Sequence, residues 1–132
     1  MTLSLDGSDI LIVEDHEQDA ILLKSMLEPA GYHIRVVNNG KMAIDAVERS
    51  IPNAILLDLM MPEMSGFEVI RRLRNMGGLH SEIPIIVVSA KTLTDAEISY
   101  LNDNVTKIIV KGQFDRDSML AHVRDVIKKI KK

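Results

Sequence analysis

Five side chains suited to phosphoryl chemistry come directly after short apolar runs of the sequence. The acidic pair Glu14 and Asp15 follows the first run, Asp58 the third, Ser89 the fourth and Lys111 the fifth. If these runs are parallel strands, their ends meet at one edge of a sheet, and three carboxyl groups held together there repel one another. Mg²⁺ suits such a site because it takes oxygen ligands and keeps waters and a phosphoryl oxygen. The residues therefore predict a magnesium site at Glu14, Asp15 and Asp58.

The same residues predict a covalent phosphoryl site. Asp58 would be the nucleophile and would form an aspartyl phosphate, while the metal neutralised charge on the phosphoryl group in transfer. Lys111 would supply a compact positive charge to a second phosphoryl oxygen, and Ser89 a hydrogen bond to a third. Each residue alone also has a structural interpretation, as a turn cap, a helix cap or a surface lysine. The prediction therefore depends on their combination at successive strand ends.

The elements that must position these residues follow from the pattern of apolar residues. The apolar runs are short, continuous and rich in β-branched residues, and they cover 10–13, 34–37, 54–57, 85–88 and 108–110. Such runs are typical of strands that a parallel sheet buries on both faces. Helical patterns lie between and after them, at 19–29, 41–49, 65–75, 94–101 and 117–131. This alternation predicts an α/β fold, a doubly wound (βα)5 open parallel sheet whose functional crevice lies at the carboxyl ends of the strands.

Composition narrows the class of protein. A chain of 132 residues with 46% hydrophobic residues is the size of one domain with a real core, which we place at 9–132 after a tail at 1–8. The absence of Cys excludes disulfide scaffolds and Cys-ligated zinc. A net charge of −3 disfavours direct nucleic-acid binding. No apolar run approaches the roughly 20 residues that span a bilayer, and we expect a cytoplasmic protein without membrane insertion.

The stretch 56–68 resembles the most specific motif of the receiver domain of two-component response regulators. That motif has a phosphoacceptor Asp, a Pro four residues later and a Gly eight residues later, which correspond here to Asp58, Pro62 and Gly66. The resemblance extends from about residue 9 to 129. It implies a flavodoxin-like sheet with strand order 2-1-3-4-5.

The resemblance also implies a role for each residue at the strand ends. Glu14 and Asp15 match the metal-binding acidic pair, Ser89 the switch hydroxyl and Lys111 the essential lysine. The position of Met60 implies a backbone carbonyl ligand for the metal. The expected function is transfer of a phosphoryl group from a sensor histidine kinase or a histidine phosphotransfer protein to the aspartate, which then switches partner interactions. Such a domain catalyses only its own phosphorylation and autodephosphorylation, and it occurs alone or fused to other signalling domains.

Three other functions remain as alternatives. A pseudo-receiver would serve only protein contacts, although Asp58 and Lys111 are both present. A phosphohydrolase of the haloacid dehalogenase type needs a second Asp two residues after the nucleophile, where this chain has Met60. A flavin-binding module needs a small polar loop after the first strand, and the acidic residues there would repel its phosphate.

The chain departs from the family pattern at four places. The acidic pair begins with Glu14 where Asp is commonest, and Ile108 stands where the family usually has an aromatic residue. Gly112 replaces the Pro that usually follows the lysine, and Gln113-Phe114 replaces the common Phe after it. These departures leave the phosphorylation chemistry intact and concern the switch that follows.

The arginines of the third helix, at 71, 72 and 74, are expected on a solvated face.

Overall fold

The computed structural model describes residues 8–130, and their side chains as far as residue 127. One parallel sheet contains all five strands in the order β2-β1-β3-β4-β5. The strands are β1 Asp9–Val13, β2 His33–Val37, β3 Ala54–Leu57, β4 Ile85–Ser89 and β5 Lys107–Val110. The helices are α1 Glu17–Leu27, α2 Gly40–Arg49, α3 Gly66–Asn75, α4 Asp95–Asn104 and α5 Arg116–Ile130. The fold class and the strand order predicted from the sequence are confirmed.

The sheet has a hydrophobic core on each face, which explains the continuous apolar runs in its three central strands, β1, β3 and β4. In β1, Leu11 and Val13 pack with residues of α2 and α3, whereas Ile10 and Ile12 pack with residues of α1 and α5. Successive side chains of a strand point to opposite faces. A strand covered by helices on both faces therefore has no position for a polar residue until it ends.

Side-chain caps set where the helices begin. The Asn39 side chain accepts a hydrogen bond from Met42 N, and α2 starts at the next residue. Thr94 and Glu97 form a reciprocal capping box at the start of α4. Each cap satisfies backbone N–H groups that the first turn leaves without partners. The helix α4 also ends three residues later than the sequence indicated, at Asn104.

One expectation from the sequence is wrong, and another falls mostly on residues that the structure does not describe. Arg74 does not lie on a solvated face: it is half-buried and donates to the backbone carbonyls of Asn104, Ser81 and Ile83 at 2.8, 3.0 and 2.9 Å. Of the predicted tail at residues 1–8, residues 1–7 lie outside the described residues, and Ser8 is buried beside the sheet. Across residues 8–130, no helix is long and apolar enough to cross a membrane.

Candidate functional site

Backbone hydrogen bonds carry the sheet ladder one residue past the strands and bring the predicted site residues to one edge. Asp58 N donates to Val13 O at 3.0 Å, so Asp58 lies beside the residue that follows β1. Lys111 N donates to Ser89 O at 3.0 Å, so the fourth and fifth strand ends are joined in the same way. Glu14 follows Val13 directly. The structure therefore gathers the residues from four strand ends at the carboxyl edge of the sheet.

The Lys111 ammonium lies among three carboxylates. Its Nζ is 2.9 Å from Glu14 Oε1, 3.0 Å from Asp19 Oδ2 and 3.6 Å from Asp58 Oδ2. Burial opposes the charged ammonium, but the hydrogen bonds to Glu14 and Asp19 and the charge of Asp58 outweigh burial and raise the pKa of Lys111. Lys111 therefore stays protonated and offsets part of the negative charge.

Asp19 is a site residue that the sequence analysis missed. It lies in the first turn of α1, four residues after Asp15, and its Oδ2 accepts from Lys111 Nζ. The available signal was this closeness in sequence to the acidic pair, at the start of the helix that follows it. The spacing alone could not indicate that Lys111 would come from 92 residues away in the chain.

Glu14 is held in place by two contacts. Its side chain is 2% exposed, Oε1 pairs with Lys111, and Oε2 accepts from His16 N at 3.2 Å. Burial raises the pKa of Glu14, while the bonds to Lys111 and His16 partly counteract that effect. Lys111 thus carries the charge that this buried carboxylate needs.

Asp58 and Asp15 each have an oxygen without a hydrogen-bond partner. Asp58 is 3% exposed; its Oδ1 accepts from Met60 N at 3.2 Å, but its buried Oδ2 lies beyond hydrogen-bond distance of Lys111. Asp15 Oδ1 is also buried and unpaired. Buried carboxylate oxygens without partners are unfavourable. Because the oxygens of Glu14, Asp15 and Asp58 come within 4.8 Å of one another, they fit a divalent cation such as Mg²⁺.

The loop after Asp58 explains why a glycine stands at position 66. Gly66 N donates to Leu59 O at 3.0 Å. A Cβ added at Gly66 would lie 2.5 Å from Asp58 O and 2.7 Å from Leu59 Cα, and both are backbone atoms. The first turn of α3 can pack this closely only without a side chain, and that contact fixes the backbone of Asp58.

Ser89 and Met60 lie at the site with contacts of their own. Ser89 is 4% exposed, and its Oγ accepts from Lys91 N at 3.1 Å. Met60 is 56% exposed, and its backbone N–H donates to Asp58 Oδ1. On the neighbouring strand β5, Ile108 is partly buried and packs against the core of the α2–α3 face. The structure therefore brings the Ser89 hydroxyl, which the sequence predicted for the site, to the carboxyl edge of the sheet. There it is hydrogen-bonded to the backbone of its own loop.

The turn after Lys111 shows what replaces the usual proline. Among the described residues there is no cis peptide bond, so the Lys111–Gly112 peptide is trans. Gly112 has φ +81°, a conformation that side chains rarely adopt, and Gln113 N donates to Val110 O at 3.1 Å. The chain therefore turns back at the glycine while Lys111 still points into the site.

Comparisons with known proteins agree with this geometry. A family model described as the response regulator receiver domain matches residues 10–124. The response regulator ArlR of Staphylococcus epidermidis is 31% identical over 122 residues, covering 92% of this chain. The chain spans about half of ArlR (53%), and a smaller share of some other curated relatives.

Two solved structures extend the comparison. A CheY-like receiver domain protein from Methanospirillum hungatei is 30% identical with a TM-score of 0.81, covering 93% of this chain and 96% of that one. The receiver domain of a sensor histidine kinase from Pseudomonas aeruginosa is 27% identical with a TM-score of 0.82, covering 92% and 98%. That structure has a magnesium ion coordinated in its active site cleft.

Proposed function

This chain belongs to the response regulator receiver domain family of two-component systems, and we propose that Asp58 is the residue in it that accepts the phosphoryl group. One observation carries the assignment. Asp58 is buried at the sheet edge with Oδ2 unpaired, and the nearest ammonium, that of Lys111, is 3.6 Å away. Asp15 Oδ1 is also buried without a hydrogen-bond partner, but the Asp15 side chain is 24% exposed and this oxygen lies 3.5 Å from His16 Nδ1. Glu14 is already bound to Lys111.

In the proposed reaction Asp58 Oδ2 attacks phosphorus. A bond forms between this oxygen and phosphorus, and the bond from phosphorus to the donor breaks, with the donor atom keeping the electron pair. The donor we propose is a phosphohistidine of a sensor kinase or phosphotransfer protein, whose imidazole nitrogen leaves. In this proposal Lys111 pairs with one oxygen of the transferred group, and Ser89 Oγ donates to another. The chain acts on no separate substrate and later releases the phosphoryl group to water.

The metal site in this proposal is formed by side-chain oxygens of Asp15 and Asp58 and the backbone carbonyl of Met60 as direct ligands, with Glu14 as the fourth residue. Bound Mg²⁺ supplies positive charge that offsets the carboxylates and the charge on the phosphoryl group. The unpaired oxygens of Asp15 and Asp58 support this ligand set. Glu14, whose oxygens already contact Lys111 and His16, contributes through its charge or through a bridging water.

The experiment is intact-mass analysis after incubation with a small phosphodonor and Mg²⁺. We expect the parent chain to gain one phosphoryl group and Asp58→Asn to gain none. The matched control is Asp45→Asn, because Asp45 lies on α2 with its side chain 47% exposed and pairs with Lys41 at 3.4 Å; this variant should be labelled like the parent. Labelling of Asp58→Asn to the parent level would show that another residue is the acceptor.

A further inference from the structure

His16 lies at the rim of the acidic cluster and brings a nitrogen donor to it. It is the residue immediately before α1, and its side chain is 68% exposed. The ring atom Nδ1 is 3.4 Å from Glu14 Oε2 and 3.5 Å from Asp15 Oδ1. Donor atoms of Glu14, Asp15, His16 and Asp58 all lie within 4.8 Å of one another. The cluster is therefore a mixed oxygen and nitrogen set.

A second observation indicates that this set is shaped for a cation. Asp58 is 3% exposed, and its Oδ2 is buried without a hydrogen-bond partner. Asp15 Oδ1 is buried and unpaired as well. Adjacent ligands on an octahedral ion with bonds of about 2.1 Å are roughly 3 Å apart. The separations of His16 Nδ1 from the carboxylates are slightly longer, and its exposed ring can close them by rotating.

We infer that His16 is a further ligand at this site, one that binds first-row transition-metal dications but not Mg²⁺. Imidazole nitrogen is a good ligand for Co²⁺, Ni²⁺ and Zn²⁺, whereas Mg²⁺ keeps to oxygen ligands and water. With Mg²⁺ the ring would stay at the rim. This inference rests on the carboxylate metal site of the proposed function and adds to it a preference among metals.

The test compares Co²⁺ and Mg²⁺ binding to the full chain by isothermal titration calorimetry, without any phosphodonor. In His16→Asn we expect Co²⁺ affinity to fall about tenfold or more, within the range that loss of a group supporting a metal typically costs. We expect Mg²⁺ affinity to change by less than about twofold, because an oxygen-seeking ion does not use the ring. The visible absorption of bound Co²⁺ should change in the same variant, since it reports the ligand set directly.

The matched control is His33→Asn. His33 is also exposed, but it lies at the start of β2, where the amino ends of the strands lie, away from the site at their carboxyl ends. It should bind both metals like the parent. Unchanged Co²⁺ affinity in His16→Asn, equal losses for both metals, or an equal loss in His33→Asn would each overturn the inference. Asp58→Asn distinguishes failure of this inference from failure of the proposed function. It should weaken the binding of both Co²⁺ and Mg²⁺, and if it weakens the binding of neither, the carboxylate metal site of the proposed function is wrong.

Discussion

At the scale of single residues, the positive charge of one ammonium group offsets part of the negative charge of the carboxylates at the site. Lys111 contacts Glu14 and Asp19 at hydrogen-bond distance and Asp58 at a longer one. The lysine is thus held between its two closer partners and Asp58. Removing one closer partner changes both its protonation and its freedom to approach Asp58.

We expect Asp19→Asn to lower the pKa of Lys111. The Asp19 carboxylate favours the ammonium, and an amide carries no charge to replace it. A raised lysine pKa adds stability that is complete below the ordinary value of 10.5 and is lost as the pH rises through the raised value. The variant should therefore lose less stability above that pH than the parent. NMR titration of the lysine side chains measures the pKa directly.

The control for this titration is Asp125→Asn, because Asp125 pairs with Lys107 at 3.5 Å, remote from the site. It should leave the titration of Lys111 as in the parent. An unchanged pKa of Lys111 in Asp19→Asn would mean that the pairing seen here is not maintained in solution.

Contacts of this kind mark the limit of the sequence analysis at the residue scale. Asp58, Lys111 and the acidic pair could be predicted because each directly follows an apolar run, and parallel strands end at a common edge. Asp19 and Arg74 could not, because their partners depend on how helices pack. Arg74 looked like a surface residue in the sequence, yet it joins the end of α3 to the backbone of the loop before β4 and to α4.

At the scale of elements, two junctions hold the site: the loop from β3 to α3 and the loop after β4. The first is fixed by the approach of Gly66 to the backbone of Asp58. The second is closed by the Ser89 hydroxyl, which accepts from Lys91 N. The first junction is therefore held by close backbone packing. The second is held by the bond to Ser89, by the ion pair of Lys91 Nζ with Glu97 Oε2 at 3.3 Å and by the packing of Leu93 against the core.

Gly66→Ala should destabilise the chain more than Gly112→Ala. At Gly66 the new Cβ meets backbone atoms at 2.5 and 2.7 Å, and we expect a cost upwards of about 2 kcal/mol. At Gly112 nothing lies within 4 Å, so only the positive φ opposes a side chain, at about 1 kcal/mol. Urea unfolding of the two variants measures both values. A larger loss at Gly112 would contradict the close packing of α3 against β3.

Phosphorylation should move mainly the loop at residues 89–93. Ser89 Oγ accepts from Lys91 N of this loop, and its own O–H must reach a phosphoryl oxygen, so movement of the hydroxyl pulls on the loop. On β5, Ile108 has no ring to turn inward, and β-branching restricts its χ1. A ligand shifts a two-state equilibrium only by its differential affinity for the two states, so fewer exchanging contacts give a smaller change beyond the loop.

Amide chemical shifts with and without a beryllofluoride phosphoryl mimic test this expectation. The shifts should be large around Asp58 and at 89–93, and modest along β5 and α5. Shifts along Lys107–Val110 and Arg116–Ile130 as large as those around Asp58 would show that Ile108 or another residue transmits the change fully.

At the scale of the whole molecule, the fold was the most predictable property, because strands covered on both faces leave continuous apolar runs. Helix ends were less predictable: α4 extends to Asn104, beyond the last strongly apolar position, where the Asn104 side chain donates to Tyr100 O at 2.8 Å. Stability is also a property of the whole chain, and a metal bound at the carboxylates of the sheet edge would add to it.

Saturating Mg²⁺ should raise the melting temperature of the whole chain. A ligand at 100 times its Kd stabilises by about 2.7 kcal/mol, which corresponds to a shift on the order of 10 °C for a domain of this size. Asp15→Ala should abolish most of this shift and should melt higher than the parent without metal, since it removes like-charge repulsion. A parent melting curve that does not respond to Mg²⁺ would argue against the metal site.

Borohydride trapping of the phosphorylated parent chain tests the identity of the acceptor most directly, because it requires no substitution. Borohydride reduces an acyl phosphate to an alcohol, so the modified aspartate becomes homoserine, and peptide mass spectrometry locates it. We predict homoserine at position 58, formed only when both phosphodonor and Mg²⁺ are supplied. Homoserine at position 15 or 19 instead, or a phosphorylated chain that yields none, would contradict the assignment of Asp58 as the phosphoryl acceptor.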